Sequence, residues 1–500
     1  MILLAAMLAF VIVACGKTTV VHRENGNDDK VVMVPATRPS EPEETTPVYV
    51  RPDDDDEYED DGETGGTSTV PSNPNDEDNG GQEPDVTPTP DGGTDNDTGD
   101  GFGDTVVTNP QTNATALSWE GINSFAIKNS SMTTEQLRTL CVDFFRYAKS
   151  ALWTPSDSIN FIKNAKGSAD TMTAGQLYGG LPYVGNASGN IYRLLDYMNE
   201  DGVVDMGDML GSLNGVLSRD ALKYFGNQCA HGATIGWVRV INSTTKFYTA
   251  AMTRDNGYIP IGPYTYNEEK IKTFSDKDGY RTSDIVKQNG QQKMFKSYAL
   301  LKKADGLVYY TTAGHVIMVA TDAHVEYIPG TTIIDGTNSY ITMIDMAQTW
   351  ETCTAADGSV YQVKNSVDAK VTFLQLYNGN YLPFTFAEFL GTDPIEETTV
   401  SFSITGETTT LSNLFKAKVT SNYSITDAYI IVTDHLGNEV YKHAVRNSSA
   451  WGKTLSMAKS GSNVDTWGNQ NLESGSYTVT VVAQLGTGER PVVYTGTITV

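Results

Sequence analysis

The sequence predicts an α+β domain followed by an all-β sandwich, both carried behind a long unstructured tether. Three observations point there. A helical pattern opens the folded part, and strand patterns take over from about residue 307. The last segment, 396–500, reads as about seven short strands separated by turns. Residues 17–115 hold 25 acids and 5 bases and very little apolar surface to bury.

Composition bounds the function. The 500 residues carry a net charge of −26, yet residues 116–500 hold 36 acids against 30 bases. The acidity therefore belongs mainly to the tether, and nowhere is there the basic footprint that nucleic-acid binding needs. No nucleic-acid partner is expected. Four cysteines in a chain of this length exclude a disulfide-stapled scaffold.

The N-terminus reads MILLAAMLAFVIVA. This run is too short to span a bilayer and fits the apolar region of a signal peptide. It ends at Ile12-Val13-Ala14-Cys15-Gly16, which resembles the lipobox of bacterial lipoproteins, although no Lys or Arg precedes it. The resemblance implies a signal peptide over 1–15, lipidation of Cys15, and an extracytoplasmic chain anchored to the membrane at the bacterial cell surface. Residues 16–115 then form the disordered acidic linker. The acidic run Asp53-Asp54-Asp55-Asp56-Glu57 keeps it extended by charge repulsion, among repeated Pro-Thr pairs.

Residues 116–395 are the α+β domain. Thr133 and Gln136 have capping-box spacing at a helix start. Leu137, Leu140, Cys141, Phe144 and Ala148 follow on one face. Asn199 to Asp205 looks in part like a calcium loop, but Tyr197 stands where a carboxylate is required, so an Asp-Gly turn is the better reading. Strands are expected at Leu307 to Tyr310, Val316 to Val319 and Tyr340 to Ile344.

Three segments carry chemistry. Cys229 follows a turn-like Gly226-Asn227-Gln228 and precedes an apolar helical run. A thiol at a helix N-terminus gains from the free N–H groups and the dipole. His315 enters a strand just after Gly314, and Asp345 ends the next strand. Taken alone, a Cys before an apolar run is usually a buried small hydrophobe. The order Cys, His, polar orienter is that of papain-like cysteine hydrolases.

These segments resemble the NlpC/P60 and CHAP families of papain-like cell-wall hydrolases. Those families open a helix with a Cys after a turn and place a Gly-Asp-Leu entry shortly before a Gly-His-Val strand. Here Gln228 and Ala230 flank the Cys in place of the usual Asp and Ser, and the entry appears as Asp305-Gly306-Leu307. The match runs from 225 to 345, with a weaker likeness at Trp153-Thr154-Pro155 and Leu181-Pro182-Tyr183. The resemblance implies a papain-like (NlpC/P60-type) hydrolase domain cutting peptide or amide bonds in peptidoglycan stem peptides. Cys229 would be the nucleophile, His315 the base and acid, and Asp345 the orienter, with Glu326 and Asp335 as alternatives for that third role. Tyr183 would line the substrate site. The Cys229 N–H would be one oxyanion donor, with the second unassigned. The alternative function is a non-catalytic, wall-binding or adhesive lipoprotein on the same fold, and acyl transfer by the same pair is a further one.

Other residues have plainer readings. His231 is expected to be exposed, because two helical positions turn it away from Cys229. Asp322, His324 and Glu326 alternate without the spacing of a zinc motif, so no metal or cofactor is expected. Cys353 is read as a core residue, with a Cys141–Cys353 bridge left open. Residues 396–500 are expected to form an immunoglobulin-like sandwich, with Trp451 and Trp467 as candidates for stacking on sugars. The chain is read as a monomer whose partners are peptidoglycan and, through its lipid, the membrane.

Overall fold

The computed structural model describes residues 19–24, 114–162, 169–185, 187–242, 258–267, 281–310, 314–404, 410–447, 452–457 and 472–500. Cys15, Trp451 and Trp467 lie outside the described residues, as does most of the stretch read as a tether. Within that stretch, Thr19–Glu24 is a strand, paired in parallel with Thr399–Ile404. The described residues all fall in one compact unit. Among the described residues no helix is long and apolar enough to cross a membrane.

The fold mixes helices with several sheets, and strands predominate. Its first long helix is Thr134–Ser150, opened by the capping box of Thr133 and Gln136. Leu137, Leu140, Cys141, Phe144 and Ala148 all point into the core, as their spacing requires. The largest sheet among the described residues has nine strands. Its centre runs Val360–Thr372, Tyr340–Thr354, Gly314–Val319, Gly306–Tyr310 and Leu382–Thr385, each antiparallel to the next. The helices Thr134–Ser150 and Cys229–Trp237 pack on each other and against this sheet.

The sheet is anchored to the first helix by a buried ion pair. Arg138 lies 2.7 Å from Asp305, the residue that leads into the Gly306–Tyr310 strand. Arg138 also donates to the carbonyls of Lys303 and Phe389. Residues 199–205 form the expected Asp-Gly turn. The Asn199 side chain accepts from the backbone of Asp201 and Val203, and Gly202 takes φ +77°.

From Thr399 onward two four-stranded sheets enclose a second core. One contains Thr399–Ile404, Lys418–Ser421 and Thr454–Ser456, joined by the Thr19–Glu24 strand. The other orders Glu439–Arg446, Ile425–Thr433, Ser476–Leu485 and Val492–Thr499. Val400, Phe402 and Val419 from the first meet Ile430, Val432, Val479 and Val481 from the second.

The two cores are bolted together by charge. Arg193, 2% exposed, reaches Asp427 at 2.9 Å and donates to the carbonyls of Thr426 and Asn447. Beside it, Asp196 accepts from Tyr429 and pairs with Arg446 at 2.7 Å. The turn between Leu485 and Glu489 closes the seam. Gly488 (φ +93°) lies so close to Arg239 that a Cβ there would fall 1.8 Å from the guanidinium, so no side chain fits.

Candidate functional site

The site is built first from a loop that glycine allows. Leu181 to Ser188 lies against Phe225 to Asn227, with Tyr183 and Ser188 both bridging the backbone of Asn227. A Cβ on Gly226 would sit 2.3 Å from Val184 Cγ2, so this close approach needs glycine. Gln228 is then extended (φ −99°, ψ 175°), and Cys229 opens the Cys229–Trp237 helix. No side chain caps that start and no acid stands in its first turn. The N–H groups there remain available to a negative charge. The far end is pinned by Trp237, whose indole N–H donates to the Ala304 carbonyl at 2.8 Å.

The strands bring up the other two groups. His315 pairs across from Tyr309, and Met318 pairs with Ile344. Continuing that antiparallel register places His315 and Asp345 as diagonal neighbours on one face, the spacing at which long polar side chains meet. His315 Nε2 lies 2.7 Å from Asp345 Oδ1. The approach is off the ring N–H axis, so charge attraction outweighs directional hydrogen bonding. Asp345 Oδ1 is itself fixed by the Met346 N–H at 2.6 Å. Cys229 is the second group that acts electrostatically on the imidazole. The Cys229 thiol also faces the Gly314 carbonyl at 4.0 Å.

Burial governs the charges. His315 is 1% exposed and Cys229 7%. Burial alone would strip the imidazolium of its proton. The Asp345 carboxylate, and after it Cys229, reverse this and hold His315 well above its ordinary value. The charged imidazolium is thereby favoured over the neutral ring.

The remaining expected residues lie outside this trio. Tyr183 is half-buried beside the loop that carries Cys229. Glu326 is exposed and paired with His324 at 2.8 Å. Asp335 caps its own turn, accepting from Thr337 and Asn338. Neither reaches His315, and Asp345 does. His231 corrects the expectation of exposure. The 181–188 segment folds over it, and its Nδ1 lies 2.9 Å from the Ala187 carbonyl. Burial lowers His231 to about 4, so it is neutral near pH 7. Cys141, Cys229 and Cys353 are free thiols, and burial pushes the Cys141 thiol far up. Among the described residues no three His, Cys, Asp or Glu side chains gather as metal ligands.

Two residues beside the site carry no signal in the sequence. Lys149, on the Thr134–Ser150 helix, is wholly buried, with Nζ 2.9 Å from Asn227 Oδ1 and 2.9 Å from Met346 Sδ. Burial holds its amine well below the usual lysine range even though Asp345 and then Cys229 act the other way. Asn227, also buried, ties the Cys229 loop to that lysine. Helical periodicity alone assigns neither residue a role, because the groups that cover them come from distant segments. Comparison of the chain with protein-family models, with curated proteins and with solved structures found no match.

Proposed function

We propose that this protein is a cysteine hydrolase of papain-like type that cuts peptide or amide bonds in peptidoglycan stems, with an immunoglobulin-like sandwich at its C-terminal end. The observation that carries this is the buried constellation of a helix-opening Cys229, a protonated His315 and the Asp345 carboxylate. The resemblance of the 225–238 and 301–319 segments to the NlpC/P60 and CHAP families supplies the substrate class. The lipobox-like end of the apolar leader supplies the location, a lipid anchor at Cys15 on the bacterial surface.

In this mechanism the Cys229 thiolate adds to the scissile carbonyl carbon. The developing oxyanion is met by the Cys229 N–H at the helix start. His315 passes its proton to the leaving amine, and the C–N bond breaks to leave a thioester. Neutral His315 then takes a proton from water, which attacks the thioester and releases the acid. Asp345 orients the ring and stabilises its charged form throughout. Tyr183 borders the entry to the thiol.

One observation favours a second reading, a wall-binding surface protein without turnover. Only 7% of Cys229 is exposed, which leaves a narrow approach for a substrate. Mass spectrometry of peptidoglycan treated with the purified protein and with Cys229→Ala separates the two. New free amines or shortened stems that vanish in the variant are the expected result. Binding to the wall with no fragments from either protein, under reducing conditions, would establish the second reading.

A further inference from the structure

We propose that the C-terminal sheets are a functional part of the Cys229 site, and that Arg193 is the positioning residue through which they hold the loop that presents the thiol; this rests on the reading of Cys229, His315 and Asp345 as catalytic. The argument begins with donors. A guanidinium carries five N–H groups in one rigid plane and no acceptor. When it is buried, each of those groups needs a partner. The buried Arg193 guanidinium has five acceptors, and they come from two places. Three lie in the C-terminal core. Asp427 accepts from Nε at 2.9 Å, and the Thr426 and Asn447 carbonyls accept from Nη2 at 3.2 and 2.9 Å. The other two lie beside the nucleophile. The Ser188 and Tyr224 carbonyls accept from Nη1 at 3.2 and 3.4 Å.

Those last two carbonyls belong to the paired segments that lead into Cys229. The Ser188 N–H donates to the Lys223 carbonyl at 2.9 Å, and the Gly189 N–H to the Gly226 carbonyl at 2.6 Å. A Cβ on Gly189 would fall 2.5 Å from the carbonyl oxygens of Phe225 and Gly226, so the two segments are pressed together without slack. Gln228 then donates its N–H to the Ala187 carbonyl, and Cys229 opens its helix. One Nη1 therefore grips both segments just ahead of the thiol. The C-terminal sheets hold the far end of the same helix too. Val238 caps it, and a Cβ on Gly486 would come 2.8 Å from the Val238 side chain. Charge aims the fork from the sheet side. Asp427 faces Arg193 and, at 3.3 Å, Arg446, while Asp196 faces Arg446 and Lys442. A planar fork bonded on both sides passes a shift of the sheets on to the Cys229 loop.

Two variants separate the parts. Asp427→Asn keeps an acceptor for Nε and removes the charge that aims the fork. Arg193→Lys keeps the charge but loses the plane of five donors, so it cannot serve both sides at once.

The test uses the full chain, with soluble peptidoglycan fragments as substrate. It reads kcat and KM for the release of amines, and hydrogen exchange by mass spectrometry. In both variants, exchange in residues 181–189 and 223–229 is expected to speed up about tenfold or more. The kcat is expected to fall on the order of tenfold to a hundredfold, because small misplacements of a reacting group are costly. KM and the shape of the pH profile should stay as in the native protein, since His315 and Asp345 are untouched. Val481→Ala is the matched control. It opens a cavity in the same C-terminal core, and Val481 is not a partner of Arg193. It should lower stability in urea yet leave kcat and the exchange of 181–189 unchanged. An equal loss of kcat in Val481→Ala would make Arg193 a general stabiliser and overturn the proposal. Exchange changes in Asp427→Asn that stop at residues 425–447 would overturn it as well. If Asp427→Asn does not fold, Arg193→Lys carries the same test. A native chain that releases no amines overturns the hydrolase reading, and the exchange result then decides separately whether the C-terminal sheets hold this loop.

Discussion

At His315 two opposing effects meet, and the stronger decides the chemistry. Burial favours the neutral ring, yet the Asp345 carboxylate at 2.7 Å keeps the proton on. A group whose folded value is raised in this way adds stability below its unfolded value, and that stability is lost as pH rises through the folded value. The same sign applies to activity, since the imidazolium is the proton donor to the leaving amine. Asp345→Asn should therefore move the alkaline edge of the pH–rate profile downward and cut the rate on the order of a hundredfold. Glu326→Gln and Asp335→Asn should leave the profile unchanged, and a loss in either would reassign the third role. Cys229 and His315 are legible in the sequence because each stands at local punctuation, a turn before a helix and a glycine at the start of a strand; Asp345 is expected at a strand's end, but the strand runs on to Thr354. Lys149 and His231 are not, because their surroundings are non-local. Lys149 is covered from Asn227 and Met346, 78 and 197 residues away in the chain. His231 is covered by Ala187, 44 residues before it, which helical spacing alone does not reveal.

Among the elements, the Thr134–Ser150 helix does the most to set the site. Its start is readable from two residues, and a capping box of this kind contributes about 1 kcal/mol. Its apolar face is readable from spacing. Its two buried basic residues are not, since a periodic pattern marks Arg138 and Lys149 as polar without saying that other segments close over them. Arg138 holds Asp305 at the entry to the Gly306–Tyr310 strand, one strand away from His315. The Asp305-Gly306-Leu307 sequence is thus a structural joint in this chain, with the carboxylate engaged by Arg138 and by the Lys302 N–H. Removing one partner of a buried pair strands the other. Arg138→Met should cost about 3–5 kcal/mol in urea unfolding. Adding Asp305→Asn should recover part of that loss, and no recovery would mean that packing, not charge, sets the cost.

For the molecule as a whole, sequence patterns separate the region before residue 396 from the β-rich end but treat them as beads on a string. Nothing in the short Ile191–Leu195 helix marks Arg193 as the residue that joins them. It is a joint because Asp427, Thr426 and Asn447 arrive from more than 200 residues later. The two cores should therefore unfold together. Calorimetry of the native protein should give one cooperative transition across both. Arg193→Ala should cost about 3–5 kcal/mol and resolve that transition into two. A native chain that already melts in two steps would show that the seam carries little coupling.

The seam also fixes a distance. Gly488 rests on Arg239, two residues beyond the end of the helix that begins with Cys229, and Arg193 locks the same face. A hinge would let the C-terminal sheets sample many offsets from the thiol, and this seam permits one. Under the proposed function, any wall polymer that also touched those sheets would meet Cys229 at a set offset. The protein would then act as a ruler, with cut sites spaced by its own dimensions.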